Sequence, residues 1–233
     1  MSEHVRDHRS LLARAEKRLL IAIAQRLPQW VHSDHLTGLA IAAMAAASAG
    51  YVLARWDMRA LWLVVFALAV NWFGDSLDGT LARVRKVERP KYGFYLDHVL
   101  DIVGATLLFG GLAASPFMSP IMALSLLVAY LLVTGEVFLA TAVRGVFRMS
   151  FGGVGPTELR IVLAIGTLAL HNDPHVSVGG GRIPLFDFGG LIAIGGLAFA
   201  FLMSATQNAV ALARLEPRKA PVVPEGFAQI RAR

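Results

Sequence analysis

Apolar residues form six long segments along the chain, separated by short polar connections. The segments cover residues 35–54, 58–82, 93–113, 117–146, 156–172 and 186–212. Each is close to or above the about 17 to 25 residues with which a helix crosses a bilayer. The pattern predicts an all-α integral membrane protein with six transmembrane helices.

The segment before the first apolar run has a different pattern. Basic residues surround an apolar stripe formed by Leu11, Leu12, Ala15, Leu19, Leu20, Ile23 and Leu27. This arrangement is typical of an amphipathic helix that lies on a membrane surface, and Pro28 is expected to end it. Residues 1–34 are therefore interpreted as a juxtamembrane arm, 35–213 as the transmembrane domain, and the proline-containing residues 214–233 as a disordered tail.

Composition agrees with a membrane protein. Hydrophobic residues make up 56% of the chain, charged residues 16%, and the mean hydropathy is +0.58. The absence of cysteine excludes disulfides, thiolate nucleophiles and cysteine-ligated metals. The net charge of +6 suits contact with anionic membrane lipids, because basic residues in the short loops of an apolar chain face headgroups; no nucleic-acid partner is expected.

The basic residues also predict the orientation of the chain. In addition to six in the N-terminal arm, the connections on one side contain Arg85, Lys86, Arg89, Lys91, Arg144 and Arg148. The connections on the other side contain only Arg55, Arg59 and Arg182. Since positive loops stay on the cytoplasmic side, both termini are expected in the cytoplasm.

Four aspartates lie where the second and third spans meet the cytoplasmic interface. One face of the second span contains Asp75, Asp78, Gly79 and Ala82, with Arg83 at its edge. One face of the third span contains Gly93, Asp97 and Asp101, at spacings of four residues. A short loop joins the two helices, so the two acidic faces can point at each other.

Four facing carboxylates cannot all remain ionised at close range without a counter-charge. All-oxygen ligands favour Mg²⁺, Mn²⁺ or Ca²⁺ over zinc, and four acids suit two ions better than one. Two adjacent ions clamp phosphate oxygens during displacement at phosphorus. Gly79 and Ala82 would leave room for a diphosphate, and Arg83 could neutralise its remaining charge. Alternatively, the acids only meet headgroups or pair with the basic loop.

The pattern Asp75-x2-Asp78-Gly79-x2-Ala82-Arg83, followed by Gly93-x3-Asp97-x3-Asp101, closely resembles the signature of the CDP-alcohol phosphotransferase family. All eight positions match, although the linker between Arg83 and Gly93 is one residue longer than is common. The resemblance implies that the membrane domain is catalytic. It would transfer a substituted phosphate from a CDP-linked donor to an alcohol and release CMP, with two Mg²⁺ or Mn²⁺ ions.

The resemblance also implies roles for individual residues. By motif position, Asp75, Asp78 and Asp97 would be metal ligands. Asp101 would be a further ligand or the base that takes the proton of the acceptor hydroxyl, which makes Asp97 and Asp101 the catalytic pair. The nucleotide would lie against Asp78, Gly79, Ala82 and Arg83, with Thr37, in the stretch LPQWVHSDHLTGLA, approaching it.

Other charged residues are candidates for an acceptor or phosphate pocket. Arg160 lies just inside the fifth span on the cytoplasmic side, where it can bind a phosphate or an acidic acceptor. Arg144, Arg148 and Glu158 are grouped with it. Positive-inside loop charge and ordinary helix-start chemistry explain these three equally well.

Two further residues have two interpretations each. His98 either supports Asp97 from outside the ligand set or packs between helices. Glu136, at about mid-membrane depth, is either functional or hydrogen-bonded to a neighbouring helix. By contrast, His171, Asp173 and His175 lie in the Gly-rich connection on the opposite side and are interpreted as part of a solvated loop. The glycines of GGLIAIGG, with Gly104, Gly110 and Gly111, predict close helix packing and a homodimer contact.

Several functions remain open at this point. The short six-span chain is typical of a bacterial inner-membrane enzyme, which favours CDP-diacylglycerol as the donor and a small polar alcohol as the acceptor. The Asp97-His98 pair instead resembles choline- and ethanolamine-phosphotransferases, which use diacylglycerol as the acceptor. Two alternatives lie outside this class. The spacing Asn71-x3-Asp75 resembles part of an intramembrane prenyltransferase pattern. Acidic residues within the membrane are also expected in a divalent-cation carrier.

Overall fold

The computed structural model describes residues 13–144 and 156–217. Within these ranges the chain forms helices α1 (Ala13–Arg26), α2 (Ser33–Leu53), α3 (Ala60–Arg85), α4 (Pro90–Ala113), α5 (Pro120–Arg144), α6 (Pro156–Ala169) and α7 (Leu185–Leu215). Strands β1 (His175–Val178) and β2 (Gly181–Pro184) form an antiparallel hairpin between α6 and α7. Residues 1–12 of the predicted N-terminal arm and residues 218–233 of the predicted tail lie outside the described residues.

Five of the described helices, α2, α3, α4, α5 and α7, are long and apolar enough to cross a membrane. The chain is therefore a multi-pass membrane protein. The fifth predicted span, 156–172, corresponds to α6, which has 14 residues in the described part. That length rises about 21 Å, less than the about 30 Å of a hydrocarbon core. Six spans and two cytoplasmic termini thus stay predictions.

Helix α2 packs against both α3 and α4, and small residues allow the close approach. A Cβ atom on Gly74 of α3 would lie 2.6 Å from the carbonyl oxygen of Leu36. One on Gly111 of α4 would lie 2.7 Å from backbone atoms of Ser48. The packing role expected for Gly111 is confirmed, whereas a Cβ on Gly110 would meet nothing within 4 Å among the described residues.

The amphipathic helix predicted near the N-terminus is confirmed as α1, which ends at Arg26, two residues before Pro28. Leu20 and Ala24 of α1 are buried in a cluster with residues of α2 and α3, whereas Leu19, which was expected in the apolar stripe, is 51% exposed. Arg85, at the end of α3, donates to the carbonyl oxygens of Leu27, Pro28, Gln29 and Val31. Side-chain packing and this arginine hold α1 against the C-terminal end of α3.

The connection between α6 and α7 was interpreted as a solvated loop. That interpretation is wrong in one respect, because the connection contains the β1–β2 hairpin. Gly179 and Gly180, at the turn, have φ values of 57° and 85°, a backbone conformation that glycine adopts without strain. Arg182 on β2 donates to both carboxylate oxygens of Asp173, at 2.7 and 2.6 Å. Asp173 thus pairs with an arginine, and its side chain, like those of His171 and His175, is exposed to solvent.

Candidate active site

The side chains of Asp75 of α3 and of Asp97 and Asp101 of α4 converge between the two helices. One carboxylate oxygen from each residue lies within 4.8 Å of the others, and all three residues are partly buried. We call this group the aspartate cluster. The prediction that the acidic faces of the two spans point at each other is confirmed for these three residues.

Asp78 lies beside the aspartate cluster and faces helix α2. Its Oδ2 accepts a hydrogen bond from Thr37 Oγ1 at 2.6 Å, and its Oδ1 accepts one from the backbone N–H of Gly79 at 2.5 Å. Its backbone carbonyl accepts from Ser33 Oγ at 2.9 Å. A residue three positions further along a helix is rotated by about 60°, which turns Asp78 from α4 toward α2. The structure therefore brings Thr37 to the site through Asp78.

Arg160 of α6 reaches into the aspartate cluster. Its Nη2 donates to Asp75 Oδ2 at 2.6 Å and its Nε donates to Asn71 Oδ1 at 2.8 Å. Asn71 is buried, and its Nδ2 donates to the carbonyl oxygen of Ala40 in α2 at 3.0 Å. The amide of Asn71 is thereby fixed between α2 and α6. The sequence pointed to Asn71 only through the prenyltransferase alternative; its position one helical turn before Asp75 was the usable signal.

The predicted nucleotide-binding residues continue along α3 toward its C-terminus. Gly79 is partly buried, and a Cβ atom on it would lie 3.4 Å from Arg83 Nη1. Arg83 Nη2 donates to Thr80 Oγ1 at 3.1 Å, and the arginine is exposed. Ala82 is partly buried one turn beyond Asp78. This stretch presents a small residue and an accessible guanidinium on the side of α3 that follows the aspartates.

His98 is buried in an aromatic environment. Its ring stacks on Phe94 at a centroid distance of 4.1 Å and lies 5.1 Å from the ring of Phe138 in α5. Its Nδ1 lies 2.6 Å from the carbonyl oxygen of Phe94 and 3.8 Å from Asp97 Oδ2. Since hydrogen bonds require heavy-atom distances near 3 Å, these contacts favour the helix-packing interpretation over support of Asp97.

Of the remaining acceptor-pocket candidates, Arg144 lies on α5 and Glu158 on α6. Arg144 Nη1 donates to Asn208 Oδ1 of α7. Glu158 is partly buried in the first turn of α6, and Arg148 lies outside the described residues. Glu136 accepts hydrogen bonds from Ser204 Oγ and Asn208 Nδ2, both at 2.6 Å. These contacts favour the interhelical role that was one of the two interpretations of Glu136.

Glu16 of α1 is a neighbour of the site that the sequence did not single out. Its Oε1 accepts hydrogen bonds from Trp72 Nε1 at 2.7 Å, Thr157 Oγ1 at 2.9 Å and Ser76 Oγ at 3.3 Å. One carboxylate oxygen thus connects α1 with α3 and with the start of α6. An acidic residue on an otherwise basic amphipathic helix was the available signal.

Comparison with known proteins identifies the family. A sequence model described as CDP-alcohol phosphatidyltransferase matches residues 30–211. The chain belongs to this family. It is accordingly a CDP-alcohol phosphotransferase, a membrane enzyme of phospholipid synthesis, which sets aside the prenyltransferase and cation-carrier alternatives. No curated protein sequence matches the chain.

A solved structure shares the fold of this phosphotransferase. The crystal structure of a Mycobacterium tuberculosis phosphatidylinositol phosphate synthase with CDP-DAG bound is similar to the chain with a TM-score of 0.57. The similarity covers 88% of this chain and 100% of the synthase, at 22% sequence identity. At that identity the likeness concerns the arrangement of helices.

Proposed function

We propose that the enzyme transfers the phosphatidyl group of CDP-diacylglycerol to the hydroxyl group of a small polar alcohol and releases CMP. The aspartate cluster is the observation that carries this proposal, because its carboxylates could hold the divalent cations that bind a diphosphate. The family match supports the CDP-linked donor. The fold likeness to a synthase with CDP-DAG bound supports diacylglycerol as the group that CDP carries.

The proposed reaction uses two divalent ions, Mg²⁺ or Mn²⁺. The residues present fit such ions, because the cluster supplies carboxylate oxygens within 4.8 Å of one another and no sulfur or imidazole ligand. Asp75, Asp97 and Asp101 would hold them, with Asp78 completing the set. When bound, the ions neutralise the diphosphate and polarise the phosphorus that is attacked.

Asp101 is proposed as the base. Its carboxylate would take the proton of the acceptor hydroxyl, whose oxygen then forms a bond to the phosphatidyl phosphorus. The bond between that phosphorus and the oxygen bridging to the cytidylate breaks, and CMP leaves. Asp101 is partly buried, which limits the access of bulk water to the base. Asp97, one helical turn before Asp101, would hold the ions as a ligand.

The nucleotide is proposed to lie along α3 and the start of α2. Thr37 would fix the carboxylate of Asp78 there through its 2.6 Å hydrogen bond. Gly79 and Ala82 would let the cytidine diphosphate approach the helix, and Arg83 would contact its phosphates. Arg160, with Arg144, Arg148 and Glu158 as further candidates, would belong to the acceptor side.

We place this reaction at the cytoplasmic face of a bacterial inner membrane, on the basis of the basic connections, and expect the enzyme to act as a homodimer. A second assignment, transfer from CDP-choline or CDP-ethanolamine to diacylglycerol, was suggested by the Asp97-His98 pair. The packing of His98 against Phe94 and Phe138 gives that histidine a structural explanation and weakens the assignment.

The test is CMP release by the purified enzyme in detergent with Mg²⁺ or Mn²⁺. In one arm, CDP-diacylglycerol is combined with one acceptor at a time: glycerol phosphate, inositol phosphate or serine. The other arm contains diacylglycerol with CDP-choline or CDP-ethanolamine. We expect metal-dependent CMP only in the first arm. CMP release confined to the second arm would overturn the donor assignment. The absence of CMP release in both arms, from folded protein, would overturn the proposal.

A further inference from the structure

Arg160 is hydrogen-bonded to the carboxylate of Asp75, which is one of the proposed ligands of a divalent ion. We infer that Arg160 is a resident counter-cation: it neutralises the aspartate cluster before metal binding, is displaced from Asp75 by the ion, and then binds the phosphate of a substrate. This inference rests on the proposed two-metal function. It concerns how an arginine of the chain controls access to the cluster.

The first observation is the contact itself. Arg160 Nη2 lies 2.6 Å from Asp75 Oδ2, and the side chains of the pair are only 18% and 25% exposed. Asp75 is in turn within 4.8 Å of carboxylate oxygens of Asp97 and Asp101. A guanidinium that is largely shielded from water and placed beside several carboxylates offsets their mutual repulsion.

The second observation is that Arg160 is held from behind. Its Nε donates to Asn71 Oδ1 at 2.8 Å, and Asn71 is anchored to the Ala40 carbonyl oxygen of α2 at 3.0 Å. Asn71 thus orients the guanidinium plane. If Nη2 leaves Asp75, the Nε contact with Asn71 can persist, so that the arginine stays at the site.

The ion and the guanidinium of Arg160 are both positively charged. A divalent ion that binds Asp75 would lie close to the guanidinium, and two cations at such a distance repel each other. The ion and Arg160 therefore compete for the Asp75 oxygen. A guanidinium has more N–H donors than Asn71 and Asp75 use, and its geometry suits phosphate oxygens. A phosphate that arrives with the substrate is the ligand to which the displaced arginine can turn.

The competition predicts an effect opposite to that of a structural residue. We would measure the Mn²⁺ affinity of the purified protein by titration calorimetry, without nucleotide, for the wild type and for Arg160→Gln and Arg160→Lys. We expect Arg160→Gln to bind Mn²⁺ about tenfold or more tightly, because the competing charge is gone. Arg160→Lys keeps the charge and should stay within about threefold of the wild type.

Thr167→Val is the matched control. Thr167 of α6 lies 2.6 Å from the hydroxyl of Tyr51 and so links α6 directly to α2, whereas Arg160 and Asn71 link these two helices through α3. Thr167 is near the C-terminal end of α6, away from Arg160. Its loss should lower the melting temperature and leave the Mn²⁺ affinity unchanged. Weaker or unaltered Mn²⁺ binding by folded Arg160→Gln would overturn the inference.

A measurement on the wild type keeps the inference testable if the glutamine variant does not fold. Phenylglyoxal modifies accessible arginines, and the modified residues can be counted by mass spectrometry with and without Mn²⁺. We expect labelling of Arg160 to rise severalfold with Mn²⁺. Arg182, which pairs with Asp173 on the hairpin, is the internal control and should not change. Unchanged or lower labelling of Arg160 would overturn the displacement.

The two proposals fail in different ways. A wild-type protein that binds no Mn²⁺ would overturn both the two-metal function and this inference. A wild-type protein that binds Mn²⁺, together with a folded Arg160→Gln variant that binds it no more tightly, would leave the two-metal function standing and overturn the role of Arg160 alone.

Discussion

Thr37 Oγ1 donates a hydrogen bond to Asp78 Oδ2 at 2.6 Å, which connects the first turns of α2 to the acidic face of α3. Thr37 also donates toward the carbonyl oxygen of Ser33 within its own helix, at 3.0 Å. The hydroxyl is therefore shared between a helix carbonyl and the carboxylate of Asp78. It fixes the one aspartate of the signature that faces away from α4.

Replacing Thr37 by valine should weaken donor binding. The variant keeps the shape of the side chain and removes the hydroxyl, so Asp78 loses a hydrogen bond of about 1.5 to 3 kcal/mol. We expect KM for CDP-diacylglycerol to rise about tenfold with a smaller change in kcat, measured by CMP release. Thr106→Val is the control, because Thr106 donates to the Ile102 carbonyl oxygen within its own helix, α4. An unchanged KM in Thr37→Val would argue against the nucleotide-side role.

Asp97→Asn and Asp101→Asn should each abolish turnover. Asparagine conserves the volume of the side chain but can neither hold a divalent ion as well nor accept a proton at neutral pH. We expect kcat to fall by about a thousandfold or more, with melting temperatures near that of the wild type. Asp173→Asn, which alters an aspartate on the hairpin, should retain full activity. Substantial turnover by either cluster variant would contradict the proposed mechanism.

Gly74→Ala should destabilise the fold. The added methyl would lie 2.6 Å from the carbonyl oxygen of Leu36 and 3.0 Å from Ala40, so α2 and α3 would have to separate. Overpacking of this kind costs about 1 to 3 kcal/mol. Gly110→Ala is a suitable control, because the same methyl would meet nothing within 4 Å among the described residues. Thermal unfolding in detergent should show a lower midpoint for Gly74→Ala alone; equal midpoints would contradict the packing described for α2 and α3.

Glu16→Ala should loosen α1 from the bundle. Three donors on α3 and α6 lose their shared acceptor, and hydrogen bonds to a charged group contribute about 1.5 to 3 kcal/mol each. We expect faster proteolysis of α1 and a lower kcat, since Ser76 adjoins Asp75 in the chain. Lys17→Ala, at an exposed neighbouring position, should behave as the wild type. Proteolysis at the wild-type rate would show that Glu16 does not hold α1.

Much of the local structure could be predicted from the sequence. The five long helices begin and end within a few residues of the predicted spans. The acidic faces of α3 and α4 were also predictable, because the helical period alone decides which residues of one helix share a side. The hairpin after α6 was missed. Its strands have four residues each, too short for an alternating pattern to distinguish them from a loop.

The sequence by itself therefore determined the membrane helices, the family and the aspartates that meet across α3 and α4. These features depend on hydrophobicity and spacing within one helix or across one short loop. Only the tertiary structure placed Arg160 on Asp75 and Glu16 on Thr157, partners that are 85 and 141 residues apart in the chain. Such contacts depend on how α1 and α6 pack against α3, and no local period along the chain encodes that choice.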